Sequence, residues 1–333
     1  MSKLHISSTP HIHQKGSSTR NIMLDVVIAM IPATVAGIII FGLKALLVVL
    51  TCVASAVATE YLFNVIAKKK QTAGDFSAVV TGLLLGLNLS TNVELWQCVV
   101  GSVFAILVVK CLFGGIGKNI ANPAITARVF MLLTFGSVGA VVTAAPLFDL
   151  GFLGDAVPAA DVVSGATPLV ALNKGVAEAA SGAPSVLQLL VGVHGGAIGE
   201  TCGIALLIGF AYLVARKVIK WYVPASFVAT TFLCYLISGG FDVTFALQHV
   251  LAGGLLLGAI FMATDYATTP PTPLGKVIFG FGCGIITVAV RLWGSNPEGV
   301  SFAILFMNIL TPYISRLTAR RVVGAKKPEK KTA

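Results

Sequence analysis

Long apolar runs recur along the whole of this 333-residue chain, and they constrain its fold more than any other feature. Hydrophobic residues make up 56% of the sequence and charged residues only 11%, whereas an ordinary soluble domain is about a quarter charged. A helix needs about 20 apolar residues to cross a bilayer. No water-soluble fold hides so many runs of this length, so the sequence predicts an all-α integral membrane protein.

We predict about ten membrane-spanning helices, separated by short polar or glycine-rich breaks. Their extents are 22–41, 44–66, 76–91, 95–113, 123–144, 198–215, 221–238, 245–263, 275–292 and 299–318. The chain then divides into an N-terminal arm (1–21), a first five-helix repeat (22–144), a long loop (145–197), a second five-helix repeat (198–318) and a basic tail (319–333).

The placement of the basic residues predicts the orientation. With the N-terminus in the cytoplasm, the cytoplasmic breaks and the two chain ends hold all but four of the 23 lysines and arginines. The four are Lys44, Arg128, Lys174 and Arg291. Positive charge collects on the cytoplasmic side of membrane proteins. We therefore interpret the net charge of +10 as a topology signal and not as a nucleic-acid site, with both termini cytoplasmic and the long loop external.

Short segments repeat at a separation near 172 residues. The matching pairs are Ser55–Thr59 with Ser226–Thr230, Gly82–Gly86 with Gly254–Gly258, and Asn122–Pro123 with Asn296–Pro297. Each half holds five predicted helices, and an odd number forces the second half to enter the membrane from the opposite side. The sequence thus predicts two inverted repeats in a urea-transporter-like arrangement. The glycine-rich third and eighth spans are either broken helices lining a path or helices packed closely through small residues.

Four segments spread over nearly the whole chain resemble one family. They are Ser7–His11, Gly117–Ala124, Ser164–Thr167, and Met262–Asp265 leading to Thr272–Lys276. The family comprises the D subunits of Rnf complexes, which are ion-translocating ferredoxin:NAD+ oxidoreductases, and the related B subunits of sodium-pumping NADH:quinone reductases. The resemblance implies a subunit that couples electron transfer between ferredoxin and NAD+ to Na+ or H+ translocation, and that is not catalytic alone.

The segment Ser164-Gly165-Ala166-Thr167 is similar to the flavinylation signature of this family. By that resemblance Thr167 is esterified to the phosphate of FMN. A hydroxyl oxygen can attack the pyrophosphate of a flavin dinucleotide and keep FMN as a phosphoester, and the small Gly165 and Ala166 leave room for a transferase. The alternative is an ordinary turn before a short helix. A covalent flavin also gives a function to an unusually long loop.

The same resemblance implies the setting. The chain would lie in a bacterial cytoplasmic membrane beside the A, B, C, E and G subunits of an Rnf complex, and the flavin-bearing G subunit would be its electron partner. A flavin transferase would mature it. Whether a second, non-covalent riboflavin binds between the helices stays open at this point.

Ionisable residues within or at the ends of the predicted spans are further candidates, because charge in a bilayer is costly. Asp25, Glu60, Glu200 and Asp265 are candidates for a Na+ or H+ path or for anchors of helix ends. Arg128 pairs with a flavin phosphate or, alternatively, with a carboxylate in an interhelical salt bridge.

The cysteines and histidines indicate no metal site. Cys111 and Cys283 share the 172-residue offset, but an iron–sulfur cluster needs four ligands, so we interpret them as core residues. His11 and His13 lie in the N-terminal arm without a third ligand nearby.

Two other functions are alternatives. One is a solute channel or secondary transporter, which the composition and the repeats fit equally well, since inverted repeats of this kind also build such proteins. The other is a scaffold that holds redox subunits without a cofactor of its own. Thr167 and its loop distinguish the three hypotheses.

Overall fold

The computed structural model describes residues 18–136, 168–172, 184–192, 194–294 and 298–319. All the regular elements in these ranges are helices. They are α1 (Thr19–Phe41), α2 (Leu43–Ile66), α3 (Ser77–Leu87), α4 (Leu95–Val103), α5 (Pro123–Thr134), α6 (Pro168–Leu172), α7 (Val186–Val191), α8 (Gly203–Ala215), α9 (Tyr222–Ser238), α10 (Val243–Leu251), α11 (Leu255–Leu257), α12 (Pro273–Trp293) and α13 (Val300–Thr318). A 3₁₀ helix (Ala73–Asp75) precedes α3, and π-helices continue α4 (Phe104–Cys111) and α11 (Gly258–Met262).

Within the described ranges, four helices are long and apolar enough to cross a bilayer, namely α1, α2, α12 and α13. They become five if α10 and α11, with its π-helical continuation, count as one bent span. The prediction of an all-α membrane protein is therefore confirmed at this level. Five further apolar helices are 10–17 residues long, so ten spans and the inverted repeat stay predictions.

The predicted eighth span is broken. Its two parts, Val243–Leu251 and Leu255–Met262, meet at an angle of 65°. Gly253 in the break has φ +72°, a conformation that glycine adopts without strain. A side chain there would also collide with its surroundings, because a Cβ would lie 2.5 Å from Leu169 Cδ1.

The predicted third span is a short, closely packed helix. Its helical part, Ser77–Leu87, has 11 residues and packs along α2. A Cβ at Gly82 would lie 2.7 Å from both the Cys52 carbonyl oxygen and Val53 Cα. Here the glycine serves close packing, the second of the two interpretations.

The predicted sixth span begins later than expected. Helix α8 starts at Gly203, and residues 194–202 form an irregular segment before it. In this segment Ile198 N donates to Leu89 O (3.0 Å) and Gly199 N donates to Leu87 O (2.7 Å). The segment thereby satisfies carbonyls at the C-terminal end of α3, which have no partner within that helix.

Two of the recognised segments are helix starts. Asn122 caps α5 by accepting from Ala124 N (3.0 Å), and Pro123 occupies the first helical turn. Thr272 caps α12 by accepting from Gly275 N (3.1 Å), again followed by a proline. A capping side chain followed by proline defines the start of a helix. The side-chain oxygen accepts from N–H groups of the first turn, which have no partner within the helix, and proline has no N–H that would need one.

Helices α1 and α8 join the two halves of the chain. Their backbones approach so closely that a Cβ at Gly209 would lie 2.4 Å from Ala29 O. Near the start of α1, Asp25 accepts from Tyr212 Oη (2.9 Å) and from Arg216 Nε (3.3 Å). This contact fixes the relative position of the halves at one side of the molecule.

Candidate functional site

A cavity of about 800 Å³, a volume that includes its open mouth, lies between the two halves of the chain. Helices α1 and α3, the start of α5 and the π-helix Gly258–Met262 form its walls. Two of the recognised segments contribute lining residues. These are Gly117, Asn119, Asn122 and Pro123 from the first, and Thr264 and Asp265 from the second. The structure thus brings together segments about 140 residues apart in sequence.

The cavity combines apolar walls with a few amides. Met23, Leu84 and Phe261 are among its apolar lining residues. Asn122 already makes hydrogen bonds within the protein, since its Nδ2 donates to Met262 O (3.2 Å) and its Oδ1 accepts from Ala124 N. The Oδ1 atom of Asn119 is buried and has no hydrogen-bond partner among the described residues. It is therefore available to a bound molecule, and this mixture of surfaces is typical of small-molecule sites.

Asp265 lies at the cavity wall, in the turn that follows the π-helix. Its carboxylate accepts from Ala267 N (3.1 Å) and from Thr268 Oγ1 (3.4 Å). Burial nevertheless raises the pKa of Asp265, because desolvation outweighs these two hydrogen bonds. Burial and the neighbouring Asp265 carboxylate raise the pKa of Tyr266 to about 12. The cavity therefore carries a carboxyl group that takes up a proton more readily than an exposed aspartate.

Lys110 and Glu60 form a buried ion pair beside this cavity. Lys110 lies in the π-helix Phe104–Cys111 and lines the cavity, and its Nζ is 2.7 Å from Glu60 Oε2. Both residues are only 2% exposed. Lys110 was counted among the cytoplasmic breaks, although the predicted span 95–113 contains it. That assignment to a break is wrong, because the side chain is buried within the π-helix, where Glu60 compensates its charge. Opposite charges within two apolar runs were the signal for this pair.

Arg128, Asn88, Glu200 and Glu298 form a second buried polar group, which we call the Arg128 cluster. Arg128 donates to Asn88 Oδ1 and to a carboxylate oxygen of Glu298, a geometry that favours the salt bridge over a flavin phosphate. Glu200 Oε1 accepts from Ala197 N (2.8 Å), while its buried Oε2 has no hydrogen-bond partner among the described residues.

The Arg128 cluster surrounds the helix break. A Cβ at Gly254 would lie 3.0 Å from Glu200 Oε2 and 3.6 Å from Arg128 Nη1. Arg128 and, across the break, Arg291 both interact electrostatically with Glu200, while one oxygen of Glu200 still has no hydrogen-bond partner among the described residues. Glu200 thus keeps its place among the candidates for an ion path, whereas the geometry of Asp25 is that of a helix anchor.

Arg291 stabilises the other side of the break. Its Nη1 donates to His249 O (2.6 Å) and its Nη2 donates to Ala252 O (3.1 Å), so a cation caps the C-terminal end of α10. The His249 ring stacks on Tyr235 with 3.7 Å between the ring centroids. Arg291 lies inside α12, as the predicted span 275–292 has it, and it is only 2% exposed, so it is not part of a break between helices. A lone arginine in an apolar run was its only signal in the sequence.

The short helix α6 packs against α10 at this point. Its Leu169 and Leu172 are completely buried. Pro168, which begins α6, is bonded directly to Thr167. The predicted attachment point therefore immediately precedes a helix anchored at the break.

Other predicted residues stay apart or lie outside the described residues. Cys111 and Cys283 belong to separate hydrophobic clusters, and the described residues contain no group of three or more side chains able to hold a metal ion. Ser164, Gly165, Ala166 and Thr167, together with His11 and His13, lie outside the described residues.

Comparison with known proteins decides the family. A family model described as the NQR2, RnfD, RnfE family matches residues 5–324. The chain belongs to this family. The four segments singled out in the sequence predicted membership of this family, and the match confirms that prediction.

Curated relatives from three bacteria match nearly end to end. The chain is 43% identical to the D subunit of the Na(+)-translocating ferredoxin:NAD(+) oxidoreductase complex of Acetobacterium woodii, over 98% of this chain and 97% of the relative. It is 36% identical to the D subunit of the proton-translocating ferredoxin:NAD(+) oxidoreductase complex of Clostridium ljungdahlii, over 94% of each chain. It is also 36% identical to the D subunit of the ion-translocating oxidoreductase complex of Stutzerimonas stutzeri, over 92% of this chain and 93% of that one.

Proposed function

We propose that this chain is the D subunit of an ion-translocating ferredoxin:NAD+ oxidoreductase, and that it carries FMN covalently on Thr167. The observation that carries the proposal is the family match over residues 5–324, within which Ser164–Thr167 reproduces the flavinylation signature. The subunit passes electrons within the complex, while electron flow between ferredoxin and NAD+ drives Na+ or H+ across the bacterial cytoplasmic membrane. Relatives named for each ion support both possibilities.

The position of α6 supports Thr167 as an attachment point. Thr167 directly precedes Pro168 in the sequence, and Pro168 begins α6. The flavin supplies the electron chemistry when bound, and the protein supplies its placement. The buried Leu169 and Leu172 hold α6 at the helix break. A flavin transferase must reach Thr167 before or during assembly.

We also propose that the cavity holds a second, non-covalent flavin such as riboflavin. Apolar walls and the Asn119 Oδ1 atom, which has no hydrogen-bond partner among the described residues, suit a flat, mostly apolar ring with polar edges. Asn119 would hold a polar edge of the ring, and Met23, Leu84 and Phe261 would cover its faces. The two recognised segments that line the cavity would then act together in one binding site.

The partners and the ion path follow from the same assignment. The A, B, C, E and G subunits of the complex are the proposed neighbours, and the G subunit receives or supplies electrons on the flavin side. Asp265 and Glu200 are the proposed ion-path residues, because one takes up protons readily and the other keeps a carboxylate oxygen unpaired. Asp25 serves as an anchor, and Arg128 stabilises the break.

Fluorescence of the denatured protein tests the covalent flavin. We expect the chain, made together with its flavin transferase and run on a denaturing gel, to fluoresce under ultraviolet light. Thr167→Val should abolish the band, because valine offers no hydroxyl for the phosphoester. Thr244→Val, which alters an exposed threonine far along the chain, is the matched control and should keep it.

Persistent fluorescence in Thr167→Val would show that another residue carries the flavin. A band without fluorescence in the parent chain as well would show that the chain carries no covalent flavin. A channel or a scaffold without a cofactor would then be the better description.

A further inference from the structure

A continuous set of hydrogen bonds leads from the protein surface to the cavity. Thr72 is exposed, and its Oγ1 donates to Glu60 Oε1 (2.6 Å). Glu60 Oε2 accepts from Lys110 Nζ (2.7 Å), and Lys110 lines the cavity. We call this set the Thr72–Glu60–Lys110 relay. Each neighbouring pair lies within ordinary hydrogen-bond distance.

Neighbouring groups fix both ends of the relay. Asn64 Nδ2 donates to Thr72 Oγ1 (3.0 Å), which holds the hydroxyl toward Glu60. Lys110 Nζ also donates to Ser77 Oγ (2.6 Å), whose hydroxyl donates to Asp75 Oδ1 (2.5 Å). An ammonium group has three N–H donors, and Glu60 and Ser77 accept from two of them. Lys110 is thereby held at the cavity wall with one N–H donor left.

A structural ion pair would need only Glu60 and Lys110. The added features here are an exposed hydroxyl on one side and an open cavity on the other. Thr72, Glu60 and Lys110 can each give or take a proton. The Lys110 ammonium group already occupies the place beside the Glu60 carboxylate where a metal cation would bind. This chemistry fits proton transfer and not Na+ conduction. The charged or titratable groups around Lys110 are Glu60, Asp75, Lys69, Cys111 and, across the cavity, Asp265.

We propose that the Thr72–Glu60–Lys110 relay delivers protons from the surface to a redox group bound in the cavity. The inference rests on the proposed non-covalent flavin and adds the source of its protons. Lys110 loses one proton from Nζ to a cavity group that has gained electrons from the donor of the complex. Thr72 Oγ1 takes a proton from solvent as its own hydroxyl proton moves to the Glu60 carboxylate, and the protonated Glu60 then gives a proton to the neutral amine. One proton thus moves from solvent to the cavity, and only N–H and O–H bonds change.

Proton uptake by the assembled complex tests the relay. In complexes carrying Thr167→Val, which lack the covalent flavin on this chain, stopped-flow reduction is followed by flavin bleaching and by a pH-indicator dye. Thr72→Val should slow proton uptake about tenfold and leave the rate of electron arrival unchanged. A positioned acid–base group accelerates proton transfer by about 10²–10⁴-fold. The effect at Thr72 should be smaller, because solvent can partly replace an exposed hydroxyl. Lys110→Met should slow it about 10²-fold.

Conservative and distant variants separate a relay from a structural role. Thr72→Ser keeps the hydroxyl and should restore uptake to within about twofold of the parent. Thr244→Val removes an exposed threonine elsewhere and should change nothing. Thr72 is exposed, so its variants should fold even if Lys110→Met does not.

Failure of the relay can be told apart from failure of the proposed cavity flavin. Bleaching at the parent rate together with unchanged proton uptake in Thr72→Val would overturn the relay and leave the cavity flavin in place. Absence of non-covalent flavin in an acid extract of the purified parent chain would overturn both. Slower uptake in Thr72→Val with rescue by Thr72→Ser would support the relay.

Discussion

Lys110 and Glu60 carry opposite charges, and each residue is only 2% exposed. Removing one partner leaves the other charge unpaired, which costs about 3–5 kcal/mol. We expect Lys110→Met to lower the stability of the solubilised protein by about that amount, and Lys110→Met combined with Glu60→Met to recover part of it. Thermal unfolding in detergent measures both. A single variant as stable as the parent would contradict the burial of the pair.

The ion pair between Arg216 and Asp25 is the natural comparison. Its Arg216 side chain is 58% exposed, and the closest distance between charged atoms is 3.3 Å. Exposed pairs contribute about 0–1 kcal/mol, because water screens them. Arg216→Gln should therefore change the unfolding temperature much less than Lys110→Met does in the same assay. An equal loss would mean that the joint between α1 and α8 depends on this pair.

Asp265 predicts a pH dependence of stability. Its pKa is raised in the folded protein above the usual 3.8, so the folded state binds the proton more tightly than the unfolded state. This contribution is fully present below the unfolded pKa and is lost as the pH rises through the folded one. Relative to Asp265→Asn, the parent should lose stability as the pH rises from below the usual 3.8 through the raised pKa. A difference that stays constant over this range would contradict the shift.

Gly82 tests the packing between α2 and α3. A Cβ at this position would meet backbone atoms of Cys52 and Val53 at 2.7 Å, and backbone cannot move aside cheaply. Gly82→Val should destabilise the protein by about 1–3 kcal/mol or more, as overpacking does. Gly74→Ala is the matched control, because a Cβ there meets no atom within 4 Å. Equal unfolding temperatures for the two variants would show that the helices are not packed this closely.

At the level of elements, periodicity and composition predicted most of the helices. The long spans Thr19–Phe41, Leu43–Ile66 and Val300–Thr318 lie within a few residues of their predicted extents, because length and apolar content decide them. The 65° break at 252–254 was only one of two interpretations of the glycine-rich sequence. Its angle depends on Arg291 and on α6, which are distant in sequence and carry no local signal. The start of α8 at Gly203 likewise depends on hydrogen bonds to α3.

The candidate site was predicted in part. The family resemblance singles out Gly117–Ala124 and Met262–Asp265 in the sequence. Their contact with the same cavity depends on tertiary structure, which no local sequence pattern predicts. Lys110 was predicted in the wrong environment because a lysine near the end of an apolar run usually reaches solvent. Only the partner Glu60, 50 residues earlier, makes its burial possible.

The topology of the whole molecule is open to a labelling experiment. Lys70 and Thr244 are both exposed and lie on opposite sides of the predicted membrane. In oriented vesicles, a membrane-impermeant maleimide should label Lys70→Cys only from the cytoplasmic side and Thr244→Cys only from the external side. The cysteine-containing parent serves as the background control. Labelling of both from one side would refute the predicted orientation and the inverted repeat with it.

The mass of the peptide that contains Thr167 tests the central claim most directly. We predict that the chain made with its flavin transferase yields this peptide heavier by one FMN less one water, with fragmentation placing the added mass on Thr167. The same peptide made without the transferase should have its unmodified mass. An unmodified peptide in both preparations would contradict the account of this chain as a covalent flavoprotein.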